Sequence, residues 1–204
     1  MRFFILLFFT FNFLTAQKVV KKSIIDSTIS SFKIDASSCY EINIETTDTD
    51  EVAVEATIDG EYKKDLVLHL KEEGSTVLIS AGFQPNFENP NDKLSAHKVV
   101  SIALEIHIPA QKDVQVFGTN SNIWATGAYE NLKITLNDGT SNLNNVKGKV
   151  EVASQSGDIR VKSESAEILS KSKYGIIDKE LIPTGNNKYI LNTVTGNILL
   201  KRIE

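Results

Sequence analysis

One cysteine in 204 residues is too few for an internal disulfide framework or a cysteine-built zinc cage. Excess charge is also scarce. The chain has 22 Lys+Arg against 26 Asp+Glu, a net of −4. A mildly acidic chain does not grip nucleic acid or anionic lipid mainly by charge. Helical periodicity is missing after residue 25. There is no Gly-x-Ser-x-Gly elbow, no EF-hand loop, no dense Gly-Gly-x-Gly-x-Asp calcium pattern and no His-x-x-x-His spacing. What is present is 41% hydrophobic and 8% aromatic residues, too much for a disordered tail.

The first sixteen residues form an address label. Met1-Arg2 precedes an almost wholly apolar run from Phe3 to Leu14, and Thr15-Ala16 supplies a small residue at the expected cut. This is the pattern of a secretory signal peptide, and the run falls short of the about 20 apolar residues of a spanning helix. Cleavage after Ala16 leaves Gln17 first, with 21 basic and 26 acidic residues and a net of −5. An uncleaved membrane anchor is the alternative. No other segment resembles a membrane span, so the expectation is an exported protein, periplasmic or at the cell surface.

The remaining chain alternates. Tyr40, Ile42 and Ile44; Val52 and Val54; Leu66, Leu68 and Leu70; and Val100, Ile102, Leu104, Ile106 and Ile108 each interleave with more polar residues. Period two with one apolar face marks half-buried strands, and β-branched residues dominate them. The chain is expected to be all-β. A longer link, Phe83 to His97, holds two prolines and two phenylalanines, Phe83 and Phe87. It reads as a contact loop, or as a surface loop whose phenylalanines fold back.

From residue 114 a template repeats: apolar-x-apolar, four residues, Gly, x, apolar-x-apolar. It occurs at Val114/Ile123, Leu132/Ser141, Val150/Ile159, Ile168/Ile177 and, after a longer step of 21, Tyr189/Ile198. A short fixed period means one unit stacked on its copies. The expected architecture is an N-terminal antiparallel β region, residues 17–112, leading into a C-terminal β-solenoid, residues 113–204, of about 18 residues per coil. A hairpin meander is the alternative. Val114, Leu132, Val150, Ile168 and Tyr189 would form one inward ladder. Ile123, Ser141, Ile159, Ile177 and Ile198 would form a second, with one polar member. The N-terminal half would cap one end of the stack, and Lys201, Arg202 and Glu204 would guard the other. Gly157 is expected at a turn in the left-handed region.

Ser156-Gly-Asp-Ile-x-Val161 and its echo Thr195-Gly-Asn-Ile-x-Leu200 resemble the bacterial putative-adhesin domain family of unknown function, DUF4097. Leu104-x-Ile-x-Ile-Pro109 followed by Val114-x-Val116 is similar to the segment that leads into that family's repeats. The resemblance covers most of residues 40–204. It implies a β-solenoid-like fold, export and an adhesin-like role, and brings no catalytic motif.

Candidate chemistry is sparse. His69 and His107 lie on alternating strands and should face away from the apolar stripe, and His97 lies in the long link. Asp48 and Asp50, or Asn137, Asp138 and Asp158, read first as turn residues bonding their own backbone and second as a weak calcium site. Neither cofactor nor metal is expected. Cys39 reads as a small buried hydrophobe or, alternatively, an intermolecular bridge. Trp124 should project outward between Ile123 and Ala125, an anchor for a partner or sugar unless a flanking loop covers it. Tyr129 and Tyr174 are its candidate companions. The functional expectation is a non-catalytic envelope protein, adhesin-like, presenting a solenoid face to an unidentified protein or glycan. The alternatives are a periplasmic scaffold or sensor partner in an envelope-stress system and, less so, a carbohydrate-active enzyme with converging carboxylates.

Overall fold

The computed structural model describes residues 17–60, 63–87 and 100–203. The expected signal segment, His97 and Glu204 lie outside the described residues.

Alternation becomes burial. In β4 (Glu51–Gly60), Val52, Val54, Ala56 and Ile58 are buried, and in β7 (Val100–Pro109) so are Ile102, Leu104, Ile106 and Ile108. The described residues are all-β, joined in one large mixed sheet of 13 strands. One apolar core runs from Ile29 to Leu200.

From the sequence the N-terminal half is expected to be antiparallel, but it is mixed. β1 (Lys18–Ile25) pairs antiparallel with β4, β4 with β7, and β5 (Leu66–Glu73) with β6 (Thr76–Phe83). However, β2 (Ser31–Asp35) lies parallel to β6 and to the start of β8 (Asp113–Ser154). β3 (Glu41–Thr47) lies parallel to β7 and to residues 122–126 of β8. The reason is the spacing of Phe32-x-Ile34 and Ile42-x-Ile44. These apolar pairs match Val114-x-Val116 and Ile123-x-Ala125 in register, so they extend the same two rows.

β8 bends repeatedly, with positive φ at Gly127, Gly139, Asn145 and Gly148. Its residues 140–144 lie parallel to β9 (Asp158–Ser163), with Ser141 opposite Ile159. Asn131 bonds Asp113, Thr140 bonds Asn122 and Lys133 bonds Glu151, each across eighteen residues.

The order of the last units departs from the sequence. β12 (Lys188–Thr193) lies between β8 and β10 (Glu167–Ser172), and Tyr189 is paired with both Val150 and Ile168. β13 (Ile198–Arg202) lies likewise between β9 and β11 (Ile177–Lys179). The final unit is inserted between the third and fourth. The edge is therefore formed by β10 and β11, not by Lys201 and Arg202, whose strand is interior.

Glycines record the same order. A Cβ on Gly157 would lie 2.6 Å from the Gly139 carbonyl oxygen. One on Gly196 would strike the Gly157 carbonyl, and one on Gly175 the Gly196 carbonyl. Gly157 is not in the left-handed region, contrary to the expectation from its turn position. It is glycine because the neighbouring turn passes too close for a side chain. Each of these turns is closed by a hydroxyl three residues earlier. Ser154, Ser172 and Thr193 accept the N–H of Gly157, Gly175 and Gly196 at 2.8, 2.9 and 3.1 Å.

Candidate functional site

Trp124 projects outward, 48% exposed, between the buried Ile123 and Ala125. No described loop covers it. The outward positions of the neighbouring rows continue its surface. Asn142 is register partner of Arg160, and Arg160 of Leu199. One step along, Asn144 pairs with Lys162, and Lys162 with Lys201. Together they line a recess of about 340 Å³ beside the indole.

The recess is anchored by polar bonds within the sheet. The Asn142 amide donates to Thr140 Oγ1 at 3.0 Å, and Thr140 donates to Asn122 at 2.8 Å. Asp158 accepts the Asn197 backbone N–H at 2.8 Å through Oδ1 and lies 3.3 Å from Arg160 Nη2 through Oδ2. On the other side of Trp124, His107 lies 3.8 Å from a Glu45 oxygen and 3.7 Å from a Glu105 oxygen. The indole thus separates an acidic patch from a basic one.

The companions expected for Trp124 do not assemble around it. Tyr129 is fully buried, its hydroxyl donating to the Thr126 carbonyl at 2.9 Å and the Ile44 carbonyl at 3.2 Å. Burial, with the Glu45 charge nearby, raises its pKa. A core hydroxyl so bonded offers nothing to a ligand. Tyr174 is exposed, with the Lys173 ammonium 4.9 Å from its ring centre, but it belongs to the turn before the edge strand β11. The rows of 140–144, β9 and β13 separate it from Trp124. Phe83 and Phe87 stack on one another, centroids 4.2 Å apart, at the end of β6.

His69 is exposed and His107 half-buried, both facing away from the apolar stripe. Among the described residues no three His, Cys, Asp or Glu side chains converge to hold a metal. Asp138 bonds the Gly139 N–H at 2.7 Å, a turn role. Cys39 is buried, and burial with the Asp35 charge pushes its thiol up to about 12.

The sequence reading missed Asn142, Asn144, Arg160, Lys162 and Lys201. Their signal was the repeat itself. They occupy, in later copies, the outward positions that Trp124 and Thr126 occupy in the first.

No family model and no curated protein matches the sequence. Among solved structures, a "putative cell adhesion protein" from Clostridium sporogenes superposes with a TM-score of 0.66 at 12% identity, covering 92% of this chain and 100% of that one. The chain shares that protein's fold. A "putative adhesin" from Bacteroides fragilis is aligned over 92% of this chain and 98% of its own at 12% identity, with a TM-score of 0.33.

Proposed function

We propose that the mature chain, beginning at Gln17, is an exported, non-catalytic cell-envelope protein of adhesin type that holds a protein or glycan on the Trp124 face. In this reading residues 113–204 act as a β-solenoid platform, one coil per repeat, and residues 17–112 as its cap. The observation that carries the reading is the exposed indole on an open sheet face, beside a recess lined by amides and cations. Indole combines a large apolar face with an N–H donor and serves as an anchor for sugars and protein partners. The fold shared with the Clostridium protein supports it, as does the signal-like start of the sequence.

Trp124 is the only tryptophan, so intrinsic fluorescence reports on this face alone. Titration of the mature chain with a panel of envelope glycans and peptides should shift or quench the emission. Trp124→Ala should lose binding measured calorimetrically. A panel that leaves the emission unchanged would refute the reading. Protease shaving of intact cells tests location. Loss of the protein means surface display. Survival, with release by osmotic shock, means a periplasmic protein and removes the adhesive role.

A further inference from the structure

We propose that the recess beside Trp124 takes an acidic saccharide, with a sugar ring on the indole and an anionic group held by Lys162, Lys201 and Arg160. This rests on the reading of Trp124 as a ligand contact and names the ligand class.

The starting observation is a pair of like charges. Lys162 and Lys201 are register partners on adjacent parallel strands, both outward. Neighbouring strands lie about 4.8 Å apart, and like charges placed opposite one another repel. Neither ammonium has an ion pair or hydrogen bond among the described residues. Of the carboxylates that follow, Glu164 accepts the Asn145 amide at 3.2 Å and Glu180 accepts the backbone N–H of Arg202 at 3.0 Å. Arg160 lies two residues before Lys162 on the same face. Only its Nη2 is engaged, by Asp158. Three cations thus converge in a chain that carries excess negative charge overall. An anionic oxygen group seated there removes the repulsion and gains charge-assisted hydrogen bonds.

The spacing fits a saccharide rather than an isolated ion. Arg160 and Lys162 lie two strand rows from the Trp124 row, about 10 Å by strand spacing. That is the reach of a disaccharide lying across the strands. In the intervening row the exposed Asn144 amide can bond ring hydroxyls, while the buried Asn142 amide is held by Thr140 and the Ile123 carbonyl. Polarity fixes direction. Glu45 and Glu105 flank His107 on the far side of the indole, so an anionic substituent is repelled there and drawn towards Lys162. Carboxylate on a uronic acid and sulfate on an ester share this chemistry.

The test uses the mature chain and Trp124 fluorescence, with four probes: oligogalacturonate, a heparin-derived oligosaccharide, a neutral cello-oligosaccharide and phosphatidylglycerol vesicles. The acidic saccharides should bind at least tenfold more tightly than the neutral one, and more weakly as salt rises. Stronger binding of the first probe identifies carboxylate, of the second sulfate. The double variant Lys162→Ala/Lys201→Ala changes exposed side chains only and removes their repulsion, so its melt should be no lower than the parent's. It should lose at least tenfold towards the acidic probes and nothing towards the neutral one. Equal binding of the neutral probe would overturn the acidic preference while leaving Trp124 as a ligand contact. Quenching by vesicles alone would overturn it in favour of a lipid surface. Emission unmoved by all four would overturn the saccharide proposal; emission unmoved by the peptides as well would overturn the reading of Trp124 as a ligand contact.

Discussion

Tyr189 pairs in parallel register with Val150, while Ile168, which precedes Tyr189 in sequence, lies on its far side. The later strands, β12 and β13, are therefore interior, and the earlier β10 and β11 form the edge. Tyr189 is buried, and its hydroxyl donates to the Val146 carbonyl, tying the inserted unit to the third repeat. Edge strands open at lower free energy than interior ones. Hydrogen exchange should show amides of residues 188–202 protected more strongly than those of 167–179, although they come later in the sequence. Greater protection of 167–179 would contradict the inserted order.

The glycine column makes a second prediction. Gly157→Ala adds a methyl that meets the Gly139 carbonyl at 2.6 Å, with Ser154 Oγ at 2.8 Å. Backbone cannot move aside as a flexible side chain can, so the cost should be about 1–3 kcal/mol, the range of overpacking. Gly82→Ala is the control. Its nearest neighbour is Ser38 Oγ at 3.9 Å and its φ lies outside the left-handed region, so its stability should be unchanged or slightly raised. Chemical denaturation of the two variants measures the contrast, and equal effects would remove close approach as the reason for Gly157.

Much of this architecture was legible beforehand. Period two located the strands, and the phase of Gly139, Gly157, Gly175 and Gly196 located the turns. Order was not legible, because every copy carries the same apolar positions in the same phase. Tyr189 can satisfy the register beside Val150 or beyond Ile168. The longer step through Pro183–Asn187 lets the chain return to the gap, but its length alone does not say so. The parallel pairing of Phe32 and Ile34 was hidden for a different reason. That unit keeps the apolar pairs but has no glycine between them. The binding face was half legible. Trp124 was found as an outlier, whereas Lys162 and Lys201 look like ordinary solvated charges until the register sets them side by side.

Ser141 is the polar member of a column in which Ile123, Ile159 and Ile198 are buried and only the edge residue Ile177 is exposed. It lies opposite Ile159, and its hydroxyl is fully buried with no hydrogen-bond partner among the described residues. An unsatisfied buried hydroxyl costs about 1–3 kcal/mol. Ser141→Ala removes it without adding volume, and the variant should be more stable by about 1 kcal/mol in denaturant unfolding. A loss of stability would mean that the hydroxyl is satisfied in solution.

Cys39 predicts behaviour at alkaline pH. Its folded-state pKa is raised to about 12 by burial and by Asp35, from an ordinary value of about 9. The folded state therefore keeps its proton where the unfolded state has lost it. Stability from this group is full below about pH 9 and is lost progressively as pH rises to about 12. Burial raises Tyr129 and Tyr189 in the same sense, so further loss begins near their ordinary value of about 10. The melting temperature should fall from about pH 9 upward, and Cys39→Ala should flatten the first part of the fall. In native buffer the thiol should resist a disulfide reagent and react at once on unfolding. Rapid labelling of the folded chain would show an accessible thiolate instead.

Lys162 and Lys201 separate stability from binding. Like charges directly opposite one another across a strand pair are destabilising, and neither ammonium forms an ion pair among the described residues. Lys162→Glu converts the opposed pair into an attractive one. Cross-strand pairs of opposite charge contribute roughly 0.2–1 kcal/mol, so the variant should melt higher than the parent. The same change places a carboxylate where the saccharide anion would sit, so acidic probes should no longer quench Trp124. Added salt should raise the stability of the parent and lower that of the variant, because screening weakens repulsion in one and attraction in the other. A variant that is both less stable and still bound by acidic saccharides would show that the two lysines are neither in conflict nor in contact with the ligand.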